Sequence, residues 1–313
     1  MSYKCAWAAL HALSLLPWGV LYLLADMVCP VVHHIARYRL RVVRDNLRSV
    51  FPDKSPQQLR AIESRFYHHL CDLCVEVVKQ SSMSREEIMR RMQFTGLDHM
   101  RRQFADGAPF VFIMLGHYGN WEWISSLQYW LPETHCSQIY HRLYNATFDR
   151  IFIRLREQYG GECIEMKSTL RSLLTMRSQH PRIVTGFIAD QQPKMNAIRH
   201  FAPFLGHDSA VFTGAEQLGR RLGAGFVYGH VEKVGRGRYV CHIEPLPLPP
   251  AEEGTFPLTE AYLQRLDQDI RAVPELWLWS HKRWSRTRQQ WEASRQAHAQ
   301  PHAPASSGSP DRE

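Results

Sequence analysis

Val111-Phe-Ile-Met-Leu-Gly-His117-Tyr-Gly-Asn120-Trp-Glu122-Trp123 runs from an unbroken apolar stretch into a Gly-His step and then a Tyr-Gly-Asn turn. An apolar run of this length, closed by glycine, reads as a buried strand. Asn120 suits a helix N-cap, which places Trp121, Glu122 and Trp123 in a first helical turn. The carboxylate of Glu122 then points back toward the strand end. A histidine at a strand tip, with a carboxylate in the next turn, is a general-base arrangement. The acid fixes the tautomer and stabilises the imidazolium while the ring takes a proton from an alcohol. His-x4-Glu alone recurs by chance in chains of this size. The apolar run, the flanking glycines and the cap give this instance its weight.

The strand–loop–helix rhythm continues beyond this segment. Strands are expected at residues 109–115, 137–141, 183–189, 224–231 and 239–244, and helices at 120–130, 145–159, 168–178, 211–222 and 258–272. Such alternation predicts an α/β fold with a mixed, mostly parallel sheet flanked by helices. In open sheets of this kind the site lies beyond the carboxyl ends of the strands, where His117 falls. The strand at 183–189 also ends in polar residues, Asp190-Gln191-Gln192-Pro193-Lys194, with Arg199-His-Phe-Ala-Pro-Phe-Leu-Gly206 beyond them. If the two strands run parallel, both polar clusters share one edge of the sheet.

Residues 5–25 contain no Asp, Glu, Lys or Arg, about the ~20 residues that a spanning helix requires. Pro17 and Gly19 interrupt the run and Asp26 follows it, so a kinked or shallow monotopic helix competes with a true span. The basic stretch Arg37-Tyr-Arg-Leu-Arg-Val-Val-Arg44, with Arg48, predicts contact with an anionic phospholipid surface and a catalytic domain on the cytoplasmic face. A cleavable leader is the rival reading, but no small-x-small site follows the apolar run. Ser55-Pro56-Gln-Gln58 forms a capping box with Pro at the first helical position, and Ser84-Arg-Glu-Glu87 repeats the start signal. The expected organisation is a membrane anchor helix over residues 1–36 and a catalytic domain over 37–293. That domain opens with a helical lead-in at 37–95, and a disordered tail covers 294–313.

A net charge of +8 predicts attraction to polyanions. No nucleic-acid-binding motif is present, and the positive charge gathers beside the apolar N-terminus, which favours a membrane over nucleic acid. Seven cysteines, an odd number at irregular spacing, fit a reducing compartment. Cys71 and Cys74 form a CxxC after His68 and His69, but no second ligand pair follows at zinc-site spacing. Two core thiols on one helix face are the expectation there.

The ordered series of these motifs resembles the bacterial lipid A biosynthesis acyltransferase family, the late lauroyl and myristoyl transferases, over nearly the whole chain except the tail. The resemblance rests on the apolar N-terminal helix, Asp45-Asn46-Leu47 before Phe51-Pro52, and Gly116-His117-x4-Glu122. It continues in Tyr140-His-Arg142 with Asn145, Asp190-Gln191, Pro203-Phe204-Leu-Gly206 and Pro274-Glu-Leu-Trp-Leu-Trp279-Ser-His281-Lys-Arg283. Gln192-Pro193 after Asp190, and His141 inside the Tyr-Arg pair, depart from the family pattern.

The resemblance implies transfer of a fatty acyl chain from an acyl thioester, carried on acyl carrier protein (ACP) or coenzyme A (CoA), to a hydroxyl of a lipid A precursor at the bacterial inner membrane. In that reading His117 is the base and Glu122 holds its ring. Arg142, or backbone N–H groups near Asn120, stabilise the oxyanion. Asp190, Gln191, Lys194 and Arg199 belong to substrate binding, and no metal or redox cofactor is implied. The same base chemistry serves another glycolipid or a pigment alcohol as acceptor. A metal-dependent hydrolase using His117, Glu122, Asp190 and His200 or His207 is the reading of a different class.

Overall fold

Residues 5–25 do not form one helix. In the computed structural model, which describes residues 2–299, the apolar stretch is broken into α1 (Tyr3–Ser14) and α2 (Trp18–Pro30). Pro17 is the reason: it has no amide to donate and drives the preceding residue out of helical geometry. Lys79 then caps the end of α1, donating to the carbonyls of Ser14 (2.9 Å) and Leu16 (3.0 Å). A π-helical turn, Val31–Ile35, extends α2. Trp18–Ile35 is thereby long and apolar enough, by length and composition, to cross a membrane. Its two faces differ. Leu21, Ala25 and Cys29 are buried in the core at helical spacing, whereas Val20, Leu23, Met27, Val28, Val31 and Ile35 are exposed.

The expected helical lead-in follows as α3 (Leu40–Val50), α4 (Pro56–Gln80) and α5 (Arg85–Arg91), with the capping box at Ser55 and the cap at Ser84 both formed. Its last residues depart from the expectation, because β1 (Met92–Thr95) pairs with a late strand instead of remaining helical. α4 buries Ile62, Phe66 and Tyr67, but also Glu63, His69, Asp72, Glu76, Lys79 and Gln80. The α1–α2 hairpin on one side, and the turn after His117 on another, meet these polar groups. Cys71 is buried and Cys74 exposed, so the CxxC does not supply two core thiols.

After α6 (Asp98–Ala105) come β2 (Phe110–Leu115), β3 (His135–Tyr140), α7 (Ala146–Glu157), β4 (Glu162–Glu165), α8 (Thr169–Gln179) and β5 (Ile183–Ile188). A small antiparallel pair, β6 (His200–Phe204) and β7 (His207–Val211), precedes α9 (Gly214–Leu222). Val211 therefore ends a strand rather than opening a helix. The long hairpin β8 (Gly225–Gly235) and β9 (Arg238–Pro245), then α10 (Pro257–Ala272), complete the domain. The segment expected as a helix at 120–130 is a 3-10 helix, Trp123–Tyr129.

The main sheet has the order β1-β9-β8-β2-β5-β3-β4. β8 and β9 are antiparallel and every other neighbouring pair is parallel. All six residues of β2 are buried, as a central strand covered on both faces requires. The register pairs Leu115 of β2 with Ile188 of β5, so the two strands end level. A last helix, α11 (Arg288–Ala299), overlaps the tail that composition assigns to disorder. Trp291 packs at a tilt against Phe201 (5.6 Å between centroids), and Arg288 pairs with Asp208 at 2.6 Å. The rest of the expected tail lies outside the described residues.

Candidate active site

Because β2 and β5 end level, the second residue past each end falls side by side. These residues are His117 and Asp190. His117 Nδ1 lies 2.6 Å from Asp190 Oδ1, and the His117 amide donates to Oδ2 at 3.1 Å. Trp277, from the loop after α10, donates its indole N–H to Oδ2 at 2.8 Å. Burial would push the Asp190 carboxyl up. The charge and hydrogen bonds of His117, with the Trp277 indole, outweigh it and hold the carboxyl down at about 2. An ionised Asp190 can only accept, so Nδ1 carries the proton and Nε2 presents its lone pair outward. The Gln191 amide stands 3.4 Å from Nε2.

The turn that carries His117 is held from every side. The Gly119 amide donates to the Leu276 carbonyl at 3.0 Å, and the His117 carbonyl accepts from the Leu278 amide at 3.1 Å. Gly119 adopts φ +62°, and a Cβ there would meet Val231 Cγ1 at 2.7 Å, so only glycine fits. His69 Nε2 donates to the Gly119 carbonyl at 3.3 Å, while Lys233 donates to its Nδ1 at 3.3 Å. Burial, with Lys233 beside it, pushes His69 down to about 3 and keeps it neutral. Asn120 is fully buried, and its Oδ1 accepts from the Trp123 amide at 3.2 Å across the turn, but the 3-10 helix that follows has Glu122, not Asn120, at its N-cap position.

Glu122 is not the carboxylate on the His117 ring. Its oxygens are taken by Arg156, from α7, through Nε (2.8 Å) and Nη2 (2.7 Å). Burial opposes the Arg156 charge, but Glu122 raises its pKa above the ordinary value. The Trp121 indole also donates to Glu122 at 3.2 Å, and the Trp121 ring stands edge-on to His117 at 5.3 Å. Glu122 thus reaches the imidazole through Trp121, as a wall rather than a hydrogen-bond partner. The first helical turn predicted around Glu122 is a plain turn here, which redirects the carboxylate toward α7.

The remaining residues singled out by the sequence disperse. Arg142 follows β3 on the same edge, but its side chain is two-thirds exposed, with Asp149 at 4.0 Å. Lys194 and Arg199 are exposed on the β5–β6 connection, where Arg199 donates to the Asn196 and Ile198 carbonyls. His200 pairs with Glu260 at 2.7 Å, and His207 packs on Trp284 at 4.4 Å. The four residues of the hydrolase reading are therefore not assembled, and among the described residues no three His, Cys, Asp or Glu side chains group as a metal site. A cleft of about 490 Å³ borders the turn at Tyr118. Charged groups, among them Arg65, Asp72, Lys233 and Glu275, line it together with the apolar Val231, Val273 and Leu276.

The sequence assigns Asp190 to substrate binding and Trp277 only to the closing motif, and it does not mark Arg156 or Glu76, which accepts from Asn120 at 2.8 Å. The signal for Asp190 was available, since both residues lie two positions beyond their strands. Nothing local marks Arg156 as the partner of Glu122. Compared with known families, the chain matches the model described as bacterial lipid A biosynthesis acyltransferase over residues 3–286. No curated protein matches it.

Proposed function

The chain belongs to the bacterial lipid A biosynthesis acyltransferase family, and from that premise we propose general-base acyl transfer at His117, from an acyl thioester to a hydroxyl of a lipid A precursor. The observation that carries this reading is the 2.6 Å contact between His117 Nδ1 and the buried Asp190. It commits Nδ1 to the carboxylate and leaves Nε2 to accept the hydroxyl proton. The alkoxide oxygen attacks the thioester carbonyl, and a tetrahedral oxyanion forms. When it collapses, the C–S bond breaks and the departing thiolate takes the proton back from His117. Asp190 and Trp277 orient the ring throughout, and the Arg156–Glu122 pair fixes the Trp121 wall. Gln191, beside Nε2, and Arg142, free to swing in from the same sheet edge, are our candidates for oxyanion donors.

Membrane attachment is a property of lipid A biosynthesis enzymes, and the N-terminal helices supply an apolar surface for it. We read α2 as lying along the membrane rather than through it. Tyr22, Asp26 and His33 tie one side of the helix to Glu76, Arg236 and Glu63 at 3.1, 2.6 and 2.8 Å. The opposite stripe, from Val20 to Ile35, is exposed and faces lipid. Arg37, Arg39, Arg41 and Arg48 follow it, exposed, and meet anionic headgroups with Lys194 and Arg199. For the donor we favour the ACP thioester, because carrier proteins are acidic and this chain carries +8.

The test is a reconstituted transfer assay. Purified enzyme, a lipid A precursor and acyl-ACP or acyl-CoA are combined, and the lipid product is weighed by mass spectrometry. An acyl ester on the precursor, absent with His117→Ala, supports the reading. Acylation that persists at the wild-type rate in a folded His117→Ala enzyme defeats it.

A further inference from the structure

Beneath the catalytic turn sits a carboxylate that this chemistry does not use. Glu76, on α4, has no solvent exposure. Its Oε2 accepts from Asn120 Nδ2 at 2.8 Å and from the Tyr239 hydroxyl at 2.9 Å, and its Oε1 accepts from the Tyr22 hydroxyl at 3.1 Å. The three donors belong to the His117 turn, to β9 and to α2. Asn120 is also bonded to the Trp123 amide, so its side chain ties the far end of the turn to Glu76. Among the described residues no cation is bonded directly to Glu76. Lys233, whose charge acts on it, pairs with Asp72 at 3.5 Å. A buried carboxylate held by neutral donors alone is expensive, and an apolar side chain of similar volume would suit stability better. Burial accordingly raises its pKa above the ordinary carboxylate value.

What sets this network apart from a merely satisfied core group is its reach. Tyr22 lies on the helix whose other face is exposed and apolar, and Asn120 lies three residues from His117. Between them stands one side chain. We propose that Glu76 is a positioning residue, through which the seating of α2 on a lipid surface sets the geometry of the His117 turn. This rests on the reading of α2 as lipid-facing given above. Lipid covers the exposed stripe and steadies the helix, Tyr22 stays on Oε1, and Asn120 is held on Oε2 with the turn in register. A small displacement of a catalytic group costs rate far more than binding.

Glu76→Gln and Tyr22→Phe are compared with the wild type in the transfer assay, on vesicles of phosphatidylethanolamine and phosphatidylglycerol at increasing lipid content, with flotation measured in parallel. The wild type is expected to float, and its kcat to rise with lipid. Both variants are expected to float equally and keep the wild-type KM for acceptor. The kcat of Glu76→Gln falls on the order of tenfold. Tyr22→Phe loses less, but its kcat no longer responds to lipid. A Tyr22→Phe enzyme with wild-type kcat and wild-type lipid response overturns the proposal, and leaves Glu76 as a partner for Asn120 only. Should Glu76→Gln fail to fold, Tyr22→Phe, which removes one hydroxyl from a half-buried ring, decides alone. Failure of the wild type to float defeats the lipid-facing reading itself, and the proposal with it.

Discussion

His117 and Asp190 are 73 residues apart in sequence and 2.6 Å apart in space. They meet because Leu115 and Ile188 are register partners on neighbouring parallel strands, and each of the two stands two residues beyond. The pair is a product of sheet register and of no local motif.

Removing either member should abolish transfer without unfolding the protein. A general base is worth about 10²–10⁴ in rate. Asp190→Asn should lose a comparable factor, because an amide on Nδ1 no longer enforces the productive tautomer. Steady-state rates, with far-UV circular dichroism as the control, check both. Wild-type turnover in folded Asp190→Asn would return the orienting role to another carboxylate.

Asp190 also predicts a pH dependence of stability. Its carboxyl is held at about 2 in the fold, against 3.8 ordinarily. A depressed pKa contributes stability that is complete above the unfolded value and lost as pH falls toward the folded one. Wild type should therefore exceed Asp190→Asn in denaturant midpoint at neutral pH, and the gap should narrow as the pH falls from about 4 to about 2. A gap that stays constant across that window would mean that the Asp190 charge carries no such stability.

Glu122 should prove structural as much as catalytic. Glu122→Ala leaves the Arg156 guanidinium without its partner in a mostly buried place, which costs on the order of 3 kcal/mol. Thermal melts should show a larger loss for Glu122→Ala than for His117→Ala. Glu122→Ala with Arg156→Met should recover part of that stability but not the rate, since Trp121 stays unanchored. Equal melting temperatures for Glu122→Ala and wild type would sink this assignment.

The apolar stripe of α2 gives a membrane test that spares the core. Deleting the N-terminal helices removes Leu21, Ala25 and Cys29, which are buried, and should destabilise the domain. Leu23→Glu with Val31→Glu instead alters only exposed positions. That variant should leave the membrane fraction while keeping its melting temperature. Wild type should resist extraction by high salt, because apolar attachment does not depend on screened charge. Release of wild type by salt alone would leave only headgroup electrostatics.

Donor choice should show in ionic strength. Steering by an acidic carrier weakens with salt, since the Debye length is already about 8 Å at 0.15 M. At matched acyl chain, kcat/KM for acyl-ACP should exceed that for acyl-CoA at physiological salt and fall more steeply above it. A preference for acyl-CoA there would remove the carrier protein from the reading and leave His117 unaffected.

Periodicity made much of this architecture legible. Residues 109–115 and 183–189 are apolar runs bounded by turn residues, and both are the strands expected. Ser55 and Ser84 announced helices that begin where their caps predict. β1 and β4, four residues each, were not legible, because so short a strand carries no periodic signal. At the site, His117 could be read from its own neighbourhood. Its partner could not, because His-x4-Glu is a local pattern and the true contact crosses the sheet. Pro17 was visible as an interruption, but Lys79, which reaches back 65 residues to Ser14 to cap the break, was not.

The Asp190–Trp277 bond has a consequence for how activity arises during synthesis. Ribosomes deliver β2 first, then β5, and only much later the loop that brings Trp277 to Asp190 and Leu278 to the His117 carbonyl. A nascent chain arrested before this loop could align its strands but would lack both fastenings. α1 and α2, by contrast, precede both strands in the chain. On the reading proposed above, the loop at residues 277–278 completes the site after the helices that face lipid have been made.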